Sequence, residues 1–411
     1  MLSGGWPGVI AALLVVPVVL ALLDLSGGLR ARRFRCGVHR CAPVDDFEVL
    51  VPIYGAMTYL ENAEYLARYG SRVILCTTTT ESRTFYRDLA ECAQRYGFRV
   101  FRAHVPRTAA GTGKRATSGT VRDRIIRDAH AEVRATWVVC LDADTTTTRP
   151  LDELVGTMAT RGLDLASIRL VPSNLTTGLA RIQAHEYRMA MMLRRILPWL
   201  VSGACHAARA EVHRAVMNRH SLFFQGNDVE LGVLAEALGY HVGHVPFEVP
   251  TTVPETLRPW FRQRLAWAGG EVRLFVMNPQ LALKHPIFWT YGCIIAIAAF
   301  PFRWNALAHA GLVIGVVLAA YTGLCLFLHR GHWDRWLLVL PLYAALSSLV
   351  LTPLGLIWYV RMAVSDRNLG LIRARAGRRR PATADDGGDE ALRPRAGAPS
   401  RSGAVDCPLS A

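Results

Sequence analysis

Two aspartates one residue apart, Asp142 and Asp144, close the apolar run of "WVVCLDADTTTTRP". In an extended strand, residues i and i+2 point to the same side. Two carboxylates so placed repel each other unless a cation sits between or beside them. Hard oxygen donors suit Mg2+ or Mn2+, and Mg2+ typically binds through one or two carboxylates plus substrate phosphates. The pair therefore predicts a strand that ends where it offers a divalent ion to a diphosphate. The competing reading is a solvated turn with two helix-capping aspartates.

The elements that must position this pair can be traced along residues 40–255. "FEVLVPIYG" (47–55), "SRVILCTTTT" (71–80), "FRVFRAHV" (98–105) and "TWVVCLDAD" (136–144) are short apolar runs closed by turn residues, the pattern of buried strands. Segments with helical spacing, "RTFYRDLAECAQRYG" and "GTVRDRIIRDAHAEV", lie between them. Strand and helix in alternation predict an α/β fold with a parallel sheet, in which ligands bind beyond the C-terminal strand ends.

The flanks are different. Residues 8–23, 286–302, 306–328 and 336–360 are apolar enough to read as membrane spans. Arg30, Arg32, Arg33 and Arg35 follow the first, and the segment from Arg361 to Arg380 is rich in arginine. The positive-inside rule places both basic stretches in the cytoplasm. Three full crossings would separate them and put the tail outside, so either 286–302 does not cross fully or 336–360 breaks near Pro353 and re-enters. The expected organisation is an N-terminal transmembrane helix (1–29), a cytoplasmic catalytic domain (40–255), interfacial helices (256–285), C-terminal transmembrane helices (286–363) and a basic, then disordered tail (364–411).

Over the 411 residues the formal charge is +15, and 51% of residues are hydrophobic. The arginine clusters flank apolar segments and form no separate basic module, which argues against a nucleic-acid partner. Only two of the 47 basic residues are lysines, Lys114 and Lys284. The nine cysteines show no regular spacing and read as free thiols; "CGVHRC" fits no standard zinc pattern.

Further motifs follow in order: "VPIYG" (51–55), "GTGKRATSG" (111–119), "LDAD" (141–144), "VSGACHAARAEV" (201–212), "FFQGNDVELGVLAEALGY" (223–240) and "VPETLRPWFRQRLAWAGG" (253–270). Together they resemble the family-2 inverting glycosyltransferases of GT-A (Rossmann-like) fold, in the membrane-integrated branch of hyaluronan, chitin, cellulose and poly-N-acetylglucosamine synthases. The resemblance runs from about Phe47 to Phe275, with the flanking spans. It implies a nucleotide-sugar donor, a uridine sugar ahead of a guanosine sugar, bound by Pro52, Tyr54, Lys114, Asp142 and Asp144 through Mg2+ or Mn2+. Asp144 would be the direct metal ligand, with Asp142 on metal, ribose or base.

The resemblance further implies that Asp228 is the catalytic base, with Glu230 ranked second; an N-cap role for Asp228 is the alternative. Ser202, Gly203, Gln263, Arg264 and Trp267 would bind the acceptor. Two positions depart from the pattern. Ala266 replaces the arginine of Gln-x-x-Arg-Trp, and a bidentate phosphate contact goes with it. Threonines, with Glu81 a little later, replace the base-reading aspartate after the second strand. The expected function is sugar transfer with inversion to a growing glycan, by a multi-pass protein of the plasma membrane surrounded by lipid. The alternatives are a single transfer to a polyprenyl phosphate or membrane lipid, and a degenerate, non-catalytic membrane scaffold.

Overall fold

The computed structural model describes residues 44–105, 118–222, 226–282, 284 and 307–363, together with parts of 18–30. Lys114, the "CGVHRC" segment, residues 286–302 and the tail after 363 lie outside the described residues.

Seven strands form one sheet: β1 (Phe47–Pro52), β2 (Val73–Thr78), β3 (Arg99–Ala103), β4 (Trp137–Leu141), β5 (Leu165–Pro172), β6 (Cys205–Arg209) and β7 (Val242–Thr251). Their order is β3-β2-β1-β4-β6-β5-β7. The predicted parallel half is present: β1 pairs in parallel with β2 and β4, and β2 with β3. The second half makes the sheet mixed rather than purely parallel, because β6 runs antiparallel to both β4 and β5. This reversal has a consequence for the site. It brings the loop before β6 to the C-terminal end of β4, with Leu141 opposite Cys205.

The central strands β1, β2 and β4 are buried along their whole length, as expected of near-continuous Val/Ile/Leu runs covered on both faces. On one face the core packs against α1 (Arg83–Tyr96) through Phe85 and Leu89 and α3 (Leu151–Arg161) through Leu154 and Met158. On the other face lie α2 (Ser118–Ala129), with Val121 and Ile125, α5 (Ala210–Arg219), with Val212 and Val216, and α6 (Asn227–Ala237), with Leu231 and Leu234. Helix boundaries follow local chemistry. Ser82 caps α1 by accepting from the Phe85 N–H, and Gly97 ends it with φ of 72°.

The remaining helices are α4 (Gly178–Ile196), α7 (Leu257–Met277), α8 (Leu307–Leu328) and α9 (Leu340–Ala363). Among the described residues, α9 is the one helix found long and apolar enough to cross a membrane. It runs unbroken through Pro353. That removes the expectation that 336–360 breaks there and re-enters; the proline costs one backbone hydrogen bond without ending the helix. Helix α9 lies directly on α7: a Cβ at Gly355 would stand 2.6 Å from the Ala268 Cβ, so only a glycine lets the helices approach this far.

Candidate active site

Strand β4 ends at Leu141, so Asp142 and Asp144 sit on a tight turn and not on an extended strand. The turn is closed by Thr145 N–H donating to the Asp142 carbonyl at 3.1 Å. Asn62, 1% exposed, holds it from outside: its Nδ2 donates to the Asp142 carbonyl at 2.9 Å and to the Thr145 carbonyl at 2.6 Å. Of the following threonines, Thr147 bonds Tyr65 and the Arg149 carbonyl, and Thr148 bonds the Glu248 backbone. The Thr-rich run is therefore a strap that anchors the turn to β7.

The two aspartates differ. Asp144 is exposed, and its Oδ1 accepts from the Thr145 hydroxyl at 3.1 Å. Asp142 is about one third exposed, and its Oδ1 is taken by Arg122, from Nε at 3.0 Å and Nη2 at 2.9 Å. Burial raises the Asp142 carboxyl pKa, Arg122 opposes this, and Asp144 adds to it. Burial alone would lower the Arg122 pKa; Asp142 and Asp123 outweigh it, so the guanidinium stays charged.

Arg122 Nη2 also donates to the Gly203 carbonyl at 2.6 Å, and the Gly203 N–H donates to Asp228 Oδ2 at 2.8 Å. One guanidinium and the backbone N–H and C=O of one glycine thus connect Asp142, Gly203 and Asp228. Three of the residues singled out by sequence stand on one relay, and its hub, Arg122, was not among them. The one sequence signal for it was an arginine early in the helix that follows the Gly-rich loop.

Asp228 is not the cap of α6. The N-cap is Gly226, with φ of 79°, and Asp228 stands in the first turn, where the helix dipole favours a carboxylate. A Cβ on Gly226 would come within 3.1 Å of the Gly270 carbonyl group, so α6 starts flush against α7. Glu230 is corrected from second-ranked base to structural anchor. It is fully buried, pairs with Arg273 at 2.7 Å and accepts from Asn278 and Ser221. Burial would raise its pKa, but Arg273 and His220 win and hold it far below the usual carboxylate range.

Pro52 is buried at the end of β1 and Tyr54 is half-buried beyond it. Beside them lies a carboxylate that sequence placed only nearby: Glu81 accepts from the Gly55 N–H at 3.1 Å and from the Thr78 hydroxyl at 2.6 Å. A carboxylate thus stands at the shared end of β1 and β2 although β2 itself ends in threonines.

On α7, Trp267 is exposed and Gln263 half-buried, with the Gln263 Oε1 buried and without a partner among the described residues. Arg264, expected to bind the acceptor, has structural partners of its own. It is 7% exposed, donates to Glu186 at 2.7 Å and lies 4.3 Å from the centre of the Trp267 ring. Tyr187 stands on the same side, 6.5 Å from that ring. Glu186 also accepts from Tyr343, which accepts from the Trp260 indole N–H at 2.8 Å. The Trp267 platform is thereby tied through α4 to α9. Ser202, 1% exposed, contributes its carbonyl to His206.

Asp144 fits a divalent ion: it is an exposed hard donor on a braced turn. Asp142 fits a positioning role, because one of its oxygens is already committed to Arg122.

This arrangement, a sheet in the order 3-2-1-4-6-5-7 with an Asp-x-Asp turn at its C-terminal edge, defines a nucleotide-sugar glycosyltransferase of GT-A fold. The family model "Glycosyl transferase family group 2" matches residues 137–365, and the chain belongs to that family. No curated protein matches it by sequence. Among solved structures it is similar to the mannosyltransferase PcManGT from Pyrobaculum calidifontis, in complex with GDP-Man and Mn2+ (TM-score 0.48, 15% identity, 90% of this chain and 98% of that one). It is also similar to glucosyl-3-phosphoglycerate synthase from Mycobacterium tuberculosis (TM-score 0.37, 16% identity, 56% and 78%). A third is S. aureus TarS 1-349 (TM-score 0.38, 13% identity, 77% and 91%).

Proposed function

We propose that this protein transfers a sugar from a nucleoside-diphosphate sugar, with inversion, to an acceptor held on α7 at a membrane face. The observation that carries the reading is the Asp142–Arg122–Gly203–Asp228 relay. It fixes the distance between the metal-side carboxylate and the base by rigid groups. The Gly203 N–H orients the Asp228 carboxylate, which takes the proton of the attacking acceptor hydroxyl. One displacement at the anomeric carbon inverts its configuration. Asp144 would hold Mg2+ or Mn2+, which when bound supplies positive charge to the departing diphosphate. Trp267 and Tyr187 offer aromatic faces to the acceptor.

The leading acceptor is a growing glycan, as in the polysaccharide synthases this chain resembles in sequence. Single transfer to a polyprenyl phosphate or membrane lipid is the second reading. Ala266 favours it, and Arg264, bound to Glu186, is not free to replace the missing guanidinium. Localisation in the plasma membrane with a cytoplasmic catalytic domain rests on the apolar flanks and their arginines. The intact relay disfavours a non-catalytic scaffold.

The test is nucleoside-diphosphate release by the full chain in lipid, from uridine and guanosine sugars, with Mg2+ or Mn2+ or with EDTA. Metal-dependent turnover with one donor supports the reading, and product size then separates polymer from single transfer. Turnover that persists in EDTA contradicts the metal assignment; silence with every donor contradicts the transferase assignment.

A further inference from the structure

Behind the catalytic turn lies a cluster the sugar chemistry does not use. Cys140 on β4 and His206 on β6 are register partners across the antiparallel pair, and His213 reaches them from α5. All three are buried. His206 Nε2 and His213 Nε2 are 3.1 Å apart, Cys140 Sγ and His213 Nε2 are 3.6 Å apart, and the three donor atoms lie within 4.8 Å of one another. A zinc ion with Zn–N near 2.0 Å and Zn–S near 2.3 Å spans donor separations of about 3.3–3.6 Å. Two of the three pairs already stand close to that spacing, and only a modest closing movement is left to the sulfur.

The outer groups are arranged for it as well. The Ser202 carbonyl can only accept, so His206 carries its hydrogen on Nδ1 and presents a lone pair at Nε2. His213 Nδ1 faces His130 Nε2, which can take its hydrogen and free the inward nitrogen. Metal-binding histidines are commonly held by such partners on the other ring nitrogen.

A second observation points to a missing cation. Asp123, 3% exposed, lines the same cavity as His206, His213 and Met217, and its Oδ2 is buried without a partner among the described residues. Arg122 also lines this cavity and opposes a cation, but it is shared between Asp142 and Asp123. Asp228 lines the cavity too, so two carboxylates face one guanidinium there, and a thiolate adds to the negative charge that a divalent ion would offset.

We propose that Cys140, His206 and His213 form a binding site for a transition-metal ion of borderline softness, Zn2+ foremost, whose fourth position faces the cavity beside Asp123. Binding forms a Zn–S bond and releases the thiol proton to solvent. The ion locks β4, β6 and α5 together just behind Asp142 and Gly203. It is separate from the Mg2+ or Mn2+ held by Asp144, and it does not depend on the transferase reading.

The test is metal content and cobalt spectroscopy on the full chain. After dialysis against a weak chelator, wild type and Asp144→Asn should retain one Zn2+ per chain. Cys140→Ala and His213→Gln should lose it. Co2+ substitution of wild type should give visible d–d bands with a near-ultraviolet thiolate-to-cobalt band, absent in Cys140→Ala. If Cys140→Ala does not fold, the near-isosteric Cys140→Ser serves, and it should lack the thiolate band. Absence of bound zinc and of the thiolate band in wild type would overturn the site, as would equal metal content in a folded Cys140 variant.

Discussion

Replacing Arg122 with lysine keeps the charge and removes the geometry. The arginine donates twice to Asp142 Oδ1, at 3.0 and 2.9 Å, and once to the Gly203 carbonyl at 2.6 Å. A lysine ammonium is a compact point charge and cannot span both partners with this fork. It keeps one of them, so the link between the Asp-x-Asp turn and the Asp228 loop is cut. Charge-assisted hydrogen bonds contribute about 1.5–3 kcal/mol each. Asp142 is a third exposed and water replaces part of the loss, so a destabilisation of about 2 kcal/mol is expected. Misplacement of Asp228 relative to the donor adds to the effect on rate: kcat should fall about 100-fold, because small misplacements of reacting groups have that scale. Arg122→Leu goes further and leaves Asp142 and the buried Asp123 without their cation, at about 3 kcal/mol after the same discount for exposure. Thermal melts and nucleoside-diphosphate release on the same preparations measure both quantities. An Arg122→Lys protein with wild-type kcat and melting temperature would falsify the relay as the element that sets the site.

Two further substitutions probe the supports. Glu230→Gln strands the buried Arg273 and should cost about 3–5 kcal/mol. Because Arg273 holds the Glu230 carboxyl below its ordinary value despite burial, its stabilisation is full above the ordinary glutamate pKa of about 4.3 and fades as pH falls below it. Denaturant melts of Glu230→Gln across that range should show a flatter acid dependence than wild type; an unchanged slope contradicts the assignment. Arg264→Ala removes the cation under Trp267 and should raise the acceptor KM several-fold with kcat largely kept, whereas a pure kcat loss would place Arg264 at the chemistry instead.

Much of the site could be read from sequence where function is carried by local order along the chain. The apolar runs over 47–55, 71–80, 98–105 and 136–144 announced the parallel half of the sheet, and the Asp-Ala-Asp at the end of the last marked its candidate working edge. The antiparallel β6 could not be read this way. "CHAAR" is short, and its direction is set by pairing with β4, a long-range contact. Arg122 and Glu81 were obscured for the same reason: each acts across 20 residues or more, on Asp142 and Gly55 respectively. Arg264 and Glu230 have partners that their place in a motif did not announce. Adjacency to a motif suggested contact with substrate, while burial and pairing with Glu186 and Arg273 make them braces.

The central claim is a division of labour between Asp144, which binds the donor through its metal, and Asp228, which takes the acceptor proton. Calorimetric titration of nucleoside diphosphate with Mn2+ into wild type, Asp144→Asn and Asp228→Asn, paired with turnover of the matching sugar donor, tests it most directly. The account predicts that Asp228→Asn binds as wild type yet turns over at least 1,000-fold more slowly, on the order of a lost general base, while Asp144→Asn loses metal-dependent binding. Wild-type turnover by folded Asp228→Asn, or undiminished Mn2+-dependent binding by Asp144→Asn, would contradict it.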